Sequence, residues 1–338
     1  MLRPANPEEL AAMLYESAAA HRTIRLGGNF SKDCLGGTPA PADVTISTAA
    51  MNRLLQYEPR DLTISVEAGM PFAELTRILA AQNQMLPLDP PWSQESTVGG
   101  VLATNLSGPR RRLYGTARDM VIGMAFATLE GKSINSGGMV VKNVAGLDMA
   151  KLMIGSFGTL AAIATVNFKV FPIPTASRNF AKEFATAAEA FAERDRILSG
   201  VLQPAAIDIV NWPRGFRLLL GAVGNRAALD RFATELPKGF VDDPAALDAS
   251  REFTHRYLAP NPGARVLTMS MPLSKMCAAA EKLAIPFVAR AGSGVIYAHY
   301  LKDAPNTALA SDFATMTKVK EMFDPERLLN RGRLHGRI

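Results

Sequence analysis

Apolar residues recur at two different spacings in the N-terminal part of the chain, and each spacing predicts a type of element. Residues 6–20 carry them three or four positions apart after an Asn-Pro start, which predicts a helix. Short segments at 23–26, 44–47 and 62–66 predict strands. A second amphipathic helix is expected after Pro71. Helices and strands mixed in this way predict an α+β domain.

A pair of prolines separates this part of the chain from the next. Residues 121–129 and 159–171 predict two long strands, the first ending in a hairpin-type turn at Gly131–Lys132 and the second at Pro172–Pro174. Beyond the prolines, predicted strands at 206–210, 217–220 and 266–270 alternate with predicted helices at 187–198, 226–236 and 273–283, and a last helix is expected at 312–322. We therefore predict three regions, 1–174, 175–308 and 309–338.

Composition and charge exclude several classes of protein. The 338 residues are 48% apolar and 7% aromatic, with a net charge of +6. Nucleic-acid binding is not expected, because it requires aromatic residues interleaved with basic runs such as Arg110–Arg112. Cys34 and Cys277 are too few for a disulfide framework or an iron–sulfur centre. No signal-peptide core begins the chain, and the longest uncharged run, 152–168, is too short to span a bilayer, so a cytoplasmic protein is expected.

Several familiar signatures are missing from the sequence. No G-x-G-x-x-G follows a strand, no Ser lies in G-x-S-x-G, and Gly131-Lys132-Ser133 lacks the upstream glycine of a P-loop. The four histidines have no second His or Cys at ligand spacing. A metal site is therefore not expected.

Two clusters of small residues remain as candidate ligand sites. The first, Gly27-Gly28-Asn29-Phe30-Ser31, follows a predicted strand, and successive backbone N–H groups in such a turn form an anion-binding concavity. An ordinary β-turn is the simpler explanation of this segment alone. The second cluster, Thr97, Gly99, Gly100, Thr104 and Asn105, combines a glycine-rich helix start with polar side chains that can bind a ring or a phosphate. Together the clusters predict a nucleotide cofactor held along the main chain.

Further motifs accompany the two clusters. They are Asp61–Gly69, Leu86–Pro91, Ser96–Gly100, Ser107–Arg111, Gly137–Asp148, Gly155–Leu160 and Phe323–Asn330. With them, the chain resembles the FAD-binding flavoproteins of the vanillyl-alcohol oxidase/p-cresol methylhydroxylase (PCMH) type, and within these the FAD-binding subunits of bacterial glycolate oxidases. The resemblance covers residues 1–172 and 310–333.

The resemblance implies a fold and a set of cofactor contacts. The implied fold is α+β, with a PCMH-type FAD-binding domain of two α+β subdomains, a smaller α+β cap domain for the substrate, and a C-terminal tail that returns to the FAD domain. Gly27–Ser31 would hold the FAD pyrophosphate, Ile163 would contact the adenine end and Asn330 would return near the flavin. The residues implied to line the adenosine and isoalloxazine path are Pro90, Thr97, Gly99, Gly100, Thr104, Asn105, Gly108 and Gly115. Two alternatives stay open: Gly155 and Gly158 either contact FAD or form a tight turn, and Lys142–Asn143 either order a loop or contact FAD.

Three departures from the family pattern affect the expected chemistry. Many relatives bind flavin covalently through a histidine in the first loop, where this chain has Asn29-Phe30-Ser31, so non-covalent FAD is expected. Hydroxyacid-oxidising relatives carry a histidine-rich motif in the second domain, but residues 292–300 retain only His299, so no catalytic residue is assigned. The tail has Asn330-Arg331-Gly332 where Asn-Pro-Gly is usual, which loosens the turn.

Three functional hypotheses follow. We favour an FAD-binding oxidoreductase subunit of a complex that oxidises glycolate or another small 2-hydroxyacid, with a homologous flavoprotein subunit and an iron–sulfur subunit as partners. Any membrane association would be peripheral and through those partners. A self-sufficient FAD-dependent dehydrogenase of another alcohol or hydroxyacid, and a non-catalytic assembly subunit, are the alternatives.

Overall fold

The computed structural model describes residues 1–139, 147–301 and 313–336, so the predictions for Lys142–Asn143 lie outside the described residues. The helices are α1 Pro7–Ala19, α2 Phe72–Ala80, α3 Val98–Thr104, α4 Arg111–Tyr114, α5 Ala117–Met120, α6 Ala150–Met153, α7 Ala187–Ser199, α8 Arg226–Glu235, α9 Ala246–Arg251, α10 Phe253–Leu258, α11 Met276–Lys282, α12 Phe313–Phe323 and α13 Arg333–Gly336, with short 3₁₀ helices at Thr48–Ala50 and Leu273–Lys275. The strands are β1 Ile24–Gly27, β2 Val44–Ser47, β3 Leu54–Glu58, β4 Thr63–Glu67, β5 Gln84–Met85, β6 Val121–Ala127, β7 Ser133–Gly137, β8 Ala162–Lys169, β9 Phe171–Pro172, β10 Ala176–Phe184, β11 Ala206–Val210, β12 Phe216–Gly224, β13 Val241–Asp242, β14 Arg265–Ser270, β15 Phe287–Arg290 and β16 Val295–Tyr300.

The first helix begins where the sequence predicts, and a local hydrogen bond explains why. Asn6 is the N-cap, and its side-chain oxygen accepts the Glu9 N–H at 2.8 Å. Leu10 and Leu14 are fully buried in one apolar cluster with residues of the parallel pair β1–β2. The α1 helix therefore shares an apolar core with the strand that leads into the first glycine cluster.

A five-stranded antiparallel sheet, in the order β3-β4-β8-β6-β7, lies at the centre of the first half of the chain. The strands predicted at 62–66, 121–129 and 159–171 correspond to β4, β6 and β8. Strand β3 was not predicted, because it is an edge strand with mostly exposed side chains and shows no buried period. Val66 of β4, Leu75 of α2 and Leu102 of α3 are buried in the same core, so the sheet fixes where α3 begins.

A seven-stranded antiparallel sheet, in the order β13-β10-β12-β11-β15-β16-β14, is built from residues between Ala176 and Tyr300. One of its faces packs against α7, α8 and α11. The other face packs against α9 and α10, and its core includes Leu35 and Trp92 from the first half of the chain. The predicted strands and helices of this region are confirmed, whereas β10, β13, β15, α9 and α10 were not predicted.

The end of the chain returns to the first half. Val319 and Phe323 of α12 pack against the core of the five-stranded sheet, and the buried Lys320 amine donates to the Thr159 carbonyl at 2.7 Å. The division at 174 and 308 remains a prediction. Each helix of the described residues is too short or too polar to cross a bilayer.

Candidate functional site

The turn that follows β1 lies directly against the start of α3. A Cβ atom on Gly28 would lie 2.1 Å from Thr97 Oγ1, so only glycine permits this approach. A Cβ atom on Gly27 would likewise lie 2.6 Å from the Phe30 ring. The two glycine-containing clusters are therefore in contact, although they are far apart in the sequence.

The backbone N–H groups of this turn are free to bind a ligand. None of the described residues accepts a hydrogen bond from the N–H of Gly28, Asn29, Phe30 or Ser31. Phe30 has a φ of 54°, and a left-handed residue inside a turn makes successive amides converge on one concavity. Such a concavity binds oxygen atoms of an anion.

A cavity of about 70 Å³ lies between the turn and α3. It is lined by the predicted Gly27–Ser31, Thr97, Gly100 and Thr104, and by the unpredicted Leu26, Lys32, Asp33, Ala103, Phe157 and Arg333. An adjoining space of about 60 Å³ shares Gly27, Gly28 and Gly100 with it and also contains Gly99, Gly158 and Ile163. The structure thus brings together predicted contact residues from separate parts of the chain.

A second, narrower space contains two of the remaining predicted residues. Asn105 and Gly115 line it together with Asp89 and Ser107. Asn105 ends α3 with a φ of 47°, and its Oδ1 is buried with no hydrogen-bond partner among the described residues. Because buried polar atoms normally have a hydrogen-bond partner, this oxygen is suited to accept a hydrogen bond from a bound ligand.

The predicted residues Gly108 and Pro90 lie beside this space but do not line it. A Cβ atom on Gly108 would lie 2.0 Å from the Asp89 carbonyl oxygen, so this glycine lets two chain segments approach each other. Pro90 is buried next to Asp89. The structure therefore places both residues as supports of the wall rather than in it.

Positively charged side chains surround the 70 Å³ cavity, and the sequence motifs did not predict them. Arg333 donates to Asp33 at 2.7 Å, and Arg25 pairs with the same carboxylate. Lys32 is only 6% exposed and donates to Ser96 Oγ, and burial lowers its pKa to about 8. Arg25 and Arg333 thus share one carboxylate, and Lys32 adds a third positive charge, which favours an anionic ligand.

Asn330 lies between two segments that line the cavity and its neighbour. Its Oδ1 accepts the Leu26 N–H at 2.7 Å, and its Nδ2 donates to the carbonyls of Leu26 at 3.0 Å and Phe157 at 2.8 Å. Asn330 lines neither space.

The turn at Gly155 and Gly158 contains two left-handed glycines. Gly158 has a φ of 65° and Gly155 a φ of 86°, so backbone conformation explains why both are glycine. Gly158 also lines the adjoining space.

Arg290 of β15 connects the seven-stranded sheet to the turn at Ser107. Its Nε donates to the Ser107 carbonyl at 3.1 Å, and its Nη1 donates to Asp208 at 2.5 Å and Ser250 Oγ at 2.7 Å. The Ser107 N–H also donates to the Tyr297 hydroxyl at 3.4 Å. The only sequence signal for this contact was a charged residue within the apolar run of β15.

His299 is enclosed in the second half of the chain and lines none of the spaces described above. Its Nε2 lies 3.0 Å from Thr254 Oγ1, and its ring contacts Phe253 and Tyr257 of α10. Burial lowers the pKa of His299 to about 4, so the ring is neutral at physiological pH. The structure therefore provides no contact between His299 and the candidate site.

A larger cleft of about 390 Å³ lies between the two halves of the chain. Asp89 and Arg110 line it from the first half, and Asn179 and Arg251 line it from the second. Asp89 also belongs to the space around Asn105, so the cleft adjoins that space. Burial raises the pKa of Asp89 to about 6, although its Oδ2 accepts the Arg110 N–H at 3.0 Å.

These residues fit FAD in three respects. Free amides and surrounding cations match a pyrophosphate, the small residues of α3 allow close approach, and the unpaired Asn105 oxygen suits a ring N–H. Within the described ranges, no cluster of three or more His, Cys, Asp or Glu is arranged to hold a metal ion.

Comparison with known proteins identifies the same type of domain. Residues 1–137 match the FAD binding domain family. The chain is 35% identical over 209 residues to glycolate oxidase subunit GlcE of Escherichia coli, which covers 61% of the chain and 58% of that protein. It is 27% identical over 213 residues to glycolate oxidase subunit GlcD of Bacillus subtilis and 31% identical over 173 residues to a D-lactate dehydrogenase of Archaeoglobus fulgidus. These matches cover 63% and 51% of the chain but only 45% and 38% of the relatives.

Solved structures agree on the fold. Alkyldihydroxyacetonephosphate synthase superposes with a TM-score of 0.70 at 20% identity, and the superposition covers 97% of this chain and 75% of the other. This likeness concerns the fold alone, and it extends through the region beyond the proline pair that the sequence motifs did not cover. The comparisons therefore support an FAD binding domain over residues 1–137 and FAD as its cofactor, as the motifs indicated.

Proposed function

We propose that this chain is the FAD-carrying subunit of a complex that oxidises glycolate or a related small 2-hydroxyacid. The observation that carries the proposal is the contact between the free-amide turn at Gly28 and the start of α3 at Thr97. The sequence similarity of the chain to two glycolate oxidase subunits supports the choice of reaction.

FAD would be held without a covalent bond. We assign its pyrophosphate to the Gly28–Ser31 turn, its adenine end to the space near Ile163 and its isoalloxazine end to the space lined by Asn105 and Gly115. The turn at 27–31 contains neither His nor Cys, which are the side chains that would be needed to attach the ring there. When bound, FAD supplies a two-electron acceptor for the C–H bond of a hydroxyacid.

The cleft between the two halves of the chain would receive the substrate. Arg110 offers a guanidinium group, which binds a carboxylate through two parallel hydrogen bonds. Asp89, with its pKa raised to about 6, is ionised at pH 7 and still basic enough to accept the hydroxyl proton. These two residues would orient a 2-hydroxyacid and remove its proton.

Electrons would leave the chain through partner subunits. Two cysteines in the whole sequence are too few to ligate an iron–sulfur cluster. We therefore place the cluster in a separate subunit, beside a homologous flavoprotein subunit, and any association with a membrane would come through that assembly.

The purified chain tests the proposal directly. We expect a yellow protein that releases FAD on denaturation and is bleached by anaerobic glycolate or D-lactate. The rate of bleaching should rise as pH increases through 6, because only ionised Asp89 accepts a proton, and Asp89→Asn should abolish that dependence. Asp248→Asn in the same cleft, where the carboxylate pairs with Arg251, is the matched control and should retain it. A purified chain without flavin, or one that keeps its flavin after denaturation, would contradict the proposal.

One observation favours a second candidate, a subunit that holds FAD without oxidising substrate itself. His299 is buried away from the cleft, and the Arg290 guanidinium is already bound to Asp208 and Ser250. For such a subunit, Asp89→Asn would leave the activity of the assembled complex unchanged while FAD stayed bound.

A further inference from the structure

Lys32 stands out among the cavity residues because it is a buried amine without an acidic partner. It is 6% exposed, and its Nζ donates to Ser96 Oγ, which itself donates to the Trp92 carbonyl at 2.5 Å. Among the described residues, no carboxylate lies within ion-pair distance of this amine. A buried charge without a counter-charge is costly, so a structure that retains one needs an anion from elsewhere.

The amine lies beside the free-amide turn. Lys32 directly follows Ser31, lines the same cavity as Gly28, and its hydroxyl partner Ser96 lies 3.5 Å from the Ser31 hydroxyl. This part of the cavity therefore combines neutral N–H donors with a buried positive charge that has no carboxylate partner among the described residues. Backbone N–H groups and an ammonium group together bind phosphate oxygens more strongly than backbone N–H groups alone, because hydrogen bonds from a charged donor are stronger.

We propose that Lys32 is the charged ligand of the cofactor pyrophosphate and makes FAD binding depend on its own protonation. The inference rests on the proposed position of FAD and names a contact that the glycine motif does not include. Bound pyrophosphate supplies the missing counter-charge, and protonated Lys32 strengthens its binding.

The other charged groups near Lys32 do not replace this counter-charge. Glu95 and Glu252 act on the amine only at a distance, and the Cys34 thiol is neutral at pH 7 because burial raises its pKa. Asp33 is shared by Arg25 and Arg333. Burial is the largest influence on Lys32 and lowers its pKa to about 8, so the free protein loses this proton within an accessible pH range.

The sign of the pH dependence follows from this linkage. In the free protein the Lys32 amine is protonated below pH 8. Bound pyrophosphate raises the pKa of the amine above this value, because a nearby negative charge favours the protonated form. Affinity is therefore constant below pH 8 and falls by up to about tenfold per pH unit above it, with a proton taken up on binding.

Titration of FAD onto flavin-free protein between pH 6.5 and 9.5 tests the proposal. The wild-type Kd should be constant below pH 8 and should rise above it. Lys32→Met should raise the Kd at pH 7 by about 10- to 100-fold and remove the dependence on pH. Lys32→Arg should stay within a few-fold of wild type at pH 7 and show no rise up to pH 9.5, because a guanidinium does not titrate there. Lys132→Met, which changes an exposed lysine paired with Glu130, is the control and should behave as wild type.

The outcomes separate this inference from the proposed function. If Lys32→Met binds FAD as tightly as wild type at pH 7, or if the wild-type Kd does not change up to pH 9.5, Lys32 is not the pyrophosphate ligand, although FAD still binds. If Lys32→Met does not fold, the wild-type pH profile and Lys32→Arg decide the matter. If the wild-type protein binds no FAD at any pH, the proposed function fails as well.

Discussion

Replacing Arg290 by methionine is the most informative perturbation of this fold, because it removes the cation that links the seven-stranded sheet to the Ser107 turn. The Arg290 and Asp208 side chains are 3% and 1% exposed, so the substitution leaves a carboxylate buried without its counter-charge. Removing one partner of a buried ion pair costs about 3–5 kcal/mol. Ser250 Oγ still donates to Asp208 at 2.6 Å, which places the expected loss near the lower end, about 3 kcal/mol.

Urea unfolding followed by tryptophan fluorescence measures this loss. Trp92 lies 5.0 Å from His255 and Trp212 lies 5.8 Å from Phe253, so both fluorophores report on the surroundings of α10. The double variant Arg290→Met/Asp208→Asn removes the charge together with its partner. It should lose about 2 kcal/mol less than the sum of the single variants, because no uncompensated charge remains.

The control is Arg231→Met, which breaks an exposed pair with Glu235 at 2.5 Å and should cost less than about 0.5 kcal/mol. The reasoning is refuted if Arg290→Met costs no more than this control, or if the two single effects at the buried pair simply add. The Kd for FAD should also rise in Arg290→Met, since the Ser107 carbonyl loses its donor.

Three further predictions concern single positions. Asn330→Ala removes the partners of Leu26 and Phe157 and should lower the free energy of unfolding by about 2–3 kcal/mol together with FAD affinity, whereas an unchanged urea midpoint would contradict the bridging role. Gly28→Ala should weaken FAD binding at least tenfold because its Cβ overlaps Thr97, and adding Thr97→Ala should restore part of that affinity; no restoration would argue against the overlap. The pKa of His299 is about 4 in the folded protein and about 6.5 in the unfolded chain. As the pH is lowered from 6.5 to 4, the free energy of unfolding should therefore fall by up to about 1.4 kcal/mol per pH unit. His299→Gln should lose this slope when urea unfolding is measured at each pH.

Local sequence patterns were sufficient for much of the fold. The α1 helix follows from its cap and its apolar spacing, and β11 follows from a short apolar run, because both signals lie within one element. Strand β3 and helices α9 and α10 were missed for a related reason: β3 is exposed at a sheet edge, and the helices each span only six residues. Short elements are stabilised by packing more than by their own propensity.

The same distinction holds at the candidate site. Glycines and hydroxyl residues marked the turn at Gly27–Ser31 and the start of α3, because close approach of backbone leaves a visible composition. The sequence supported no catalytic role for His299, and only the packing of α10 against its strand decided that this side chain is enclosed.

The sequence by itself therefore determined the resemblance to FAD-binding proteins, the expected cofactor and most of the elements, since these depend on short motifs and local periodicity. Only the tertiary structure decided that Gly28, Thr97 and Asn330 support one cavity, that Lys32 is buried beside it and that Arg290 joins the two halves of the chain. The physical reason is that burial and ion pairing depend on neighbours that are distant in the chain, and no local pattern encodes them.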